Sequence, residues 1–256
     1  MNNFFSVFFL KILLRLGEDF LYICCMSPFI SIIIPFYGTA DPVLLQRCLD
    51  SIRRQGMEEG SYEIIVVDDN GKGLGGARNQ GIRQATGTYL MFVDADDYLF
   101  PNLSYCFPYL LKYTPDVCSF QMCEVNRPGV IPQSFNYKWE VYESGAEYMS
   151  KNNFMGTAWR HFFSRSFLNI HGLAFAESCF HEDEDFVAKA YCLASTTLIT
   201  DYPVYAYFRS SSSIIHERAL QIRLKRLNDF RGMLYRVRNL LCSLESDGKI
   251  IPMQVK

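Results

Sequence analysis

Charge of one sign is scarce in this sequence: 25 lysines and arginines stand against 27 aspartates and glutamates, a formal net charge of −2 over 256 residues. Nucleic-acid binding needs a basic surface that displaces counterions from phosphates, so the balance argues against that partner class. Histidine is rare, at four, and none of the nine cysteines lies in a CxxC pair or in metal-ligand spacing with a histidine. That pattern excludes a disulfide framework and reads as reduced core residues of a cytosolic protein. Long apolar runs are missing too. Phe4 to Leu14 is interrupted by Lys11, falls short of the about 20 residues a bilayer span requires, and lacks the basic start and small-residue cleavage site of a secretory signal. There is no internal repeat, no low-complexity linker, and no constellation for a serine or cysteine nucleophile.

What remains is material for one substantial α/β core, with 49% of residues hydrophobic and 15% aromatic. Residues 1–26 read as an N-terminal extension, either an interfacial helix or sequence upstream of a start at Met26, the second being the expectation. Phe29 to Ile34 is an unbroken run rich in β-branched residues, the pattern of a strand buried on both faces. Leu45, Cys48, Leu49 and Ile52 then mark an amphipathic crossover helix within 42–55. A second strand, Tyr62 to Val67, runs into Asp68 and Asp69. A helix follows over 75–86, and a third strand, Thr88 to Val93, runs into Asp94. Such β-α-β-α-β alternation predicts a mostly parallel sheet whose carboxyl edge gathers the loops after Pro35, Asp69 and Asp94, where open α/β sheets bind ligands. Beyond it, helices are expected over 102–113, 143–151 and 182–194, a strand over 116–123, and one or two strands over 197–208, broken at Pro203. A long basic helix starts near Glu217.

Three acidic groups carry the chemistry. Asp94, Asp96 and Asp97 lie within four positions, a crowding of like charge that a divalent cation relieves. Hard oxygen ligands suit Mg²⁺ or Mn²⁺, completed by waters and a diphosphate. The alternative is a solvated turn capping the helix at Asn102. Asp69 is a candidate acceptor for a nucleotide base, and Tyr37 for stacking on it, against an Asx-turn and a packed ring. The stretch His181 to Asp185 opens a helix, where carboxylates suit the dipole and a cap, or where one serves as general base. A competing fingerprint is Gly71-Lys72-Gly73-Leu74-Gly75-Gly76, which matches the dinucleotide-binding G-x-G-x-x-G.

Taken together, the blocks Ser31 to Tyr37, Val66 to Asp69, Gly73 to Ile82, Phe92 to Asp97, Ala158 to Arg160 and His181 to Glu184 resemble glycosyltransferase family 2, the inverting transferases of the GT-A fold. The resemblance implies a nucleotide-sugar donor, a UDP-sugar, and a hydroxyl of a glycan or lipid-linked glycan as acceptor. It implies Pro35, Tyr37, Asp69, Arg78 and Asp94 on the nucleotide-sugar side, and Asp96 with Asp94 at a Mn²⁺ or Mg²⁺ ion. It also implies Asp183, with Glu182, as the catalytic carboxylates, and Trp159, Arg160 and His181 on the acceptor side. The departures are Gly38 where the family has Asn, Asn70-Gly71 after the acidic pair, and the short segment from Asp69 to Arg78, where relatives fit a helix and a strand. Loss of that strand leaves the core intact but bears on donor binding, so a non-catalytic glycosyltransferase-like binding protein is the alternative reading. The expected organisation is an extension (1–26), a GT-A domain (27–215) and a basic helical tail (216–256). The tail, with seven lysines or arginines from Arg218 to Arg238, suits either a solvated outer face or peripheral contact with an anionic membrane from the cytoplasm.

Overall fold

The structure, a computed structural model, describes residues 27–36, 41–68, 70–126, 137–153, 155–209 and 220–247. The N-terminal extension, Tyr37, Gly38 and Asp69 lie outside the described residues.

In chain order the elements are β1 (Ile30–Phe36), α1 (Pro42–Arg53), β2 (Tyr62–Asp68), α2 (Gly73–Gln84), β3 (Tyr89–Phe92), β4 (Tyr98–Leu99), a 3₁₀ turn (Leu103–Cys106) running into α3 (Phe107–Tyr113), and β5 (Val117–Val125). They continue with β6 (Trp139–Tyr142), α4 (Gly145–Lys151), a 3₁₀ turn (Ala158–Arg160), β7 (His161–Ser164), α5 (Arg165–Ile170), α6 (Glu182–Leu193), β8 (Thr197–Phe208) and α7 (Leu220–Ser246).

The strands form one sheet in the order β2-β1-β3-β7-β5-β8-β4, with β6 also paired to β8. Strands β1, β2 and β3 are mutually parallel, as the alternation predicts, with Ile34 opposite Val66 and Ile33 opposite Phe92. The later part differs in direction: β7 runs antiparallel between β3 and β5, β5 pairs parallel with β8, and β4 and β6 join β8 antiparallel. The sheet is therefore mixed, with a parallel N-terminal portion. Strand β8 passes through Pro203 without ending, and its pairing with β5 shifts register around Gln121, opposite that proline. A bulge accommodates the residue that cannot donate to the ladder.

The run at β1 is apolar on both faces because each face meets its own core. Ile30, Ile32 and Ile34 pack with Cys48 and Ile52 of α1, while Ile33 joins Ala77 of α2, Val67 and Phe92. Helix α1 starts where Asp41 accepts the Val43 N–H at 2.8 Å, with Pro42 at its first position. Helix α2 lies close on β1 because Gly81 has no side chain: a Cβ there would come 2.3 Å from Ile33 Cγ2.

Candidate active site

The parallel register brings the ends of β1, β2 and β3 to one rim, where Phe36 faces Asp68 and the Val93 N–H donates to the Ile33 carbonyl at 2.9 Å. Pro35 therefore stands one residue from the end of the central strand of this trio. Past β2 the chain turns at once. Asn70 takes a left-handed backbone (φ 49°), and its side chain donates to Gln80 Oε1 at 2.9 Å. Only Asp69 to Lys72 separate β2 from α2.

Arg78, on α2, is fully buried and is the centre of the site. Its guanidinium donates through Nη2 to Asp94 at 3.0 Å, and through Nη1 to Glu182 at 3.2 Å and to Asp183. A buried cation is tolerable only when paired and hydrogen-bonded. Burial alone would loosen its proton, but Asp183, Asp94 and Glu182 reverse that and raise its pKa. The ring of Phe175 lies 5.4 Å from the guanidinium carbon, and the buried Nε has no hydrogen-bond partner among the described residues. Asp183 spends its second oxygen on the Ala158 N–H at 3.2 Å. Burial holds its pKa above the usual carboxylate range against the pull of Arg78, with Glu182 and Asp94 adding to the rise.

The Asp94 to Asp97 loop divides its labour. Asp97 is buried, accepting the Tyr205 O–H at 2.7 Å and the Phe208 N–H at 2.7 Å. Burial first, then the Asp94 charge, push its pKa up to about 8. The Tyr205 hydroxyl in turn accepts the Asp94 N–H at 3.1 Å, so one side chain of β8 fixes both ends of the loop. Asp96 stands exposed at the surface, its carbonyl held by Arg47, whose guanidinium lies 4.0 Å from the Phe208 ring centre. Partial desolvation, then the Asp94 charge, raise the Asp96 pKa. Asn102 is left-handed and makes no side-chain cap, so the capping reading of this cluster does not describe it.

On the other side, Trp159 is buried and stacked on Tyr205 and Tyr207, at centroid distances of 4.6 and 5.7 Å. Arg160 donates to the Phe120 carbonyl at 3.4 Å and to Gln121 at 3.1 Å. His181 has φ 64° and pairs with Glu184 at 3.1 Å, while its ring meets Phe230 of α7. The structure thus gathers Arg78, Asp94, Glu182 and Asp183 into one cluster. Asp96 and His181 stand at its margins, and Trp159 and Arg160 are tied into the wall. Sequence reasoning missed Tyr205 and Arg47, because a strand tyrosine and a helix arginine have no spacing that marks them, and it placed Asn79 in the block Gly73 to Ile82 without giving it a role.

Asn79 explains the glycine-rich start of α2. Its amide brackets the Phe175 backbone, accepting the N–H at 2.8 Å and donating to the carbonyl at 3.0 Å. The Ser178 N–H donates to the Lys72 carbonyl at 2.8 Å, and a Cβ on Gly75 would meet the Ala176 oxygen at 2.2 Å. The close approach that a pyrophosphate makes in a dinucleotide fold is taken here by residues 175–178 of the chain itself.

With this geometry in place, comparison with known proteins is decisive. The family model described as Glycosyl transferase family 2 matches residues 31–72 and 70–168. The chain belongs to glycosyl transferase family 2. In this family member the two matched pieces meet at residues 70–72, where β2 passes into α2 without a further element. Relatives in Bacillus subtilis include the putative glycosyltransferase EpsH, 26% identical over 224 residues, and the uncharacterized glycosyltransferase EpsJ, 29% identical over 227 residues. Each alignment covers 74% of this chain and 63% of the relative, so the chain spans less than two thirds of their length. Among solved structures, residues 1–349 of S. aureus TarS in complex with UDP align at a TM-score of 0.63 and 22% identity, over 82% of this chain and 64% of that one. The same TarS fragment with UDP-GlcNAc gives 0.62 and 22%, over 75% and 61%. These likenesses establish the GT-A-like fold. Among the described residues no helix is long and apolar enough to cross a membrane, and no group of three or more His, Cys, Asp or Glu side chains is placed to hold a metal ion.

Proposed function

We propose that this chain is an inverting glycosyltransferase that moves a sugar from a UDP-sugar to a hydroxyl of a glycan or lipid-linked acceptor. The observation that carries the reading is Arg78, whose one buried guanidinium joins Asp94, at the end of a parallel strand, to Glu182 and Asp183, at the head of α6. A donor-side carboxylate and a candidate base are thereby held within one cluster. The UDP and UDP-GlcNAc complexes of TarS support a uridine donor. The name of a Bacillus spizizenii relative, a poly(ribitol-phosphate) beta-glucosyltransferase that is 37% identical over 97 residues, supports a polyhydroxylated acceptor.

In this reading Asp183 accepts the proton of the acceptor hydroxyl as its oxygen bonds to the anomeric carbon, and the bond from that carbon to the leaving diphosphate breaks on the opposite face. A pKa raised by burial suits that task. Glu182 shares Arg78 and keeps the base oriented. Pro35, Tyr37 and Asp69 belong to the base end of the nucleotide, and Arg78 and Asp94 to the ribose and diphosphate end. His181, Trp159 and Arg160 belong to the acceptor side. Crowded Asp94 and exposed Asp96 fit Mn²⁺ or Mg²⁺, since two carboxylates leave places for diphosphate oxygens and water. Such an ion would neutralise charge on the leaving group.

One observation favours a second reading, a transferase-like protein that binds without turnover: the direct passage from β2 to α2, at which the family match divides. The readings separate by experiment. UDP with Mn²⁺ should raise the thermal midpoint and NAD(P) should not; stabilisation by NAD(P) alone would overturn the nucleotide-sugar assignment. A donor screen should then give turnover that Asp183→Asn lowers by about 10²-fold or more while UDP binding persists. Unchanged turnover in that variant removes Asp183 from the role of base. Asp96→Ala should abolish the metal dependence of UDP binding, and retained dependence would remove Asp96 from the ion.

A further inference from the structure

The two faces of α7 do different work. The inner face is fastened to the domain: Met233 and Leu244 are buried, and Arg236 meets the buried Asp185 at 3.1 Å. Asp229 accepts the Phe180 N–H at 3.0 Å, and Lys225 reaches the Ser178 carbonyl at 3.1 Å. These three attachments fall on residues 178–185, the stretch that leads into and holds Glu182 and Asp183.

The outer face is apolar and, among the described residues, uncovered. Leu220, Leu224, Leu227, Leu234 and Leu241 recur at helical spacing with relative exposures from 39% to 68%, and Phe230 and Tyr235 flank them, also exposed. At about 100° per residue, Arg223, Arg231 and Arg238 fall on the same side as the leucines, and all three are exposed. Between Leu220 and Leu244 the only carboxylate is Asp229, and it is engaged on the inner face by Lys225 and Phe180. A continuous exposed apolar stripe of this length marks an interaction surface, and its charge is of one sign. A second copy laid on it would set arginines against arginines. A lipid surface takes both chemistries at once, leucines at the acyl boundary and arginine heads on anionic phosphates, their stems lying along the apolar layer.

We propose that the outer face of α7 docks this protein on a lipid surface bearing anionic headgroups. The inner attachments then hold residues 178–185 at a fixed height above that surface. For an acceptor carried on a lipid this places the base beside its substrate, a consequence that rests on the transferase reading; the docking itself does not.

The test uses the full chain in vesicle sedimentation, without any measurement of turnover. Binding to phosphatidylcholine vesicles containing phosphatidylglycerol should exceed binding to phosphatidylcholine alone by about tenfold or more, and should weaken with salt. The pair Leu227→Glu and Leu234→Glu should lower it by about tenfold without moving the thermal midpoint, since both side chains are exposed. The pair Arg231→Glu and Arg238→Glu should erase the preference for anionic vesicles. Equal binding to both vesicle types, or undiminished binding in the leucine variant, overturns the proposal. So does a lipid-free dimer that the leucine variant splits, which would give the face to a second copy.

Discussion

Arg78 and Asp183 form a buried ion pair across 105 residues of chain, and the same guanidinium also holds Asp94 and Glu182. The cation thus balances three carboxylates that would otherwise repel. Arg78→Met should destabilise the protein by about 3–5 kcal/mol at pH 7. The deficit should shrink towards pH 5, because carboxylates that have lost their partner take up protons and cease to repel. Urea unfolding at the two pH values checks this; a deficit independent of pH would mean that packing, not charge, is what Arg78 supplies. Arg78→Lys should recover little, since a single ammonium cannot span the three carboxylates in the fork geometry.

Tyr205→Phe removes one hydroxyl that serves two partners, the Asp94 N–H and the buried Asp97 carboxyl. A loss of about 1–3 kcal/mol in stability is expected, with weaker UDP binding by calorimetry because the loop that presents Asp94 and Asp96 loses its tether. Trp159 keeps its stacking on the ring in this variant, so packing cannot account for the change.

His161 is buried, with Nδ1 on the Thr157 carbonyl at 2.9 Å and Nε2 on the Tyr191 hydroxyl at 3.1 Å. Burial, with Arg160 adding to it, depresses its pKa to about 3. The folded state stays neutral where the unfolded chain, near its ordinary value of 6.5, already binds a proton. Stability from this group is complete above pH 6.5 and declines as pH falls towards 3. From pH 6.5 down to 5 the contribution of this group should approach about 1.4 kcal/mol per pH unit, with the buried Asp97, whose pKa is pushed up to about 8, contributing in the opposite sense. His161→Phe should remove the histidine contribution, so the difference between variant and wild type in pH-dependent denaturant midpoints would register it.

Gly75→Ala should cost about 1–3 kcal/mol, because the added methyl would meet backbone, the Ala176 oxygen, rather than a side chain able to move. Chemical denaturation reads this directly. A neutral result would mean that residues 175–178 do not sit on α2 as described.

The parallel half of the fold was legible in the sequence because β1, β2 and β3 are apolar on both faces and each ends in a turn with a carboxylate or proline nearby. The rim holding Asp94 followed from that topology. The joining of Asp94 to Asp183 did not, since it depends on a helix arginine spanning elements far apart in sequence. The helix expected over 143–151 is α4, but the rest of the segment from 124 to 180 hid β6, β7 and α5. Each is at most seven residues long, too short to establish a period, and β7 (His-Phe-Phe-Ser) gains its strand identity from β3 and β5 on either side. The division of the acidic loop was equally hidden. Nothing in Asp94-Ala95-Asp96-Asp97 says that the last carboxylate turns inward to Tyr205 while Asp96 turns out.

Strand β2 ends the sheet, so among the described residues the outer row of its backbone N–H and C=O groups faces no other strand. Its sequence, Tyr-Glu-Ile-Ile-Val-Val-Asp, is a short apolar ribbon with a charge near each end, the composition that templates strand addition when left uncovered. This margin is therefore a place where copies of the chain can add strand to strand at high concentration or on refolding, and a lysine in place of exposed Val66 is the smallest change that would guard it.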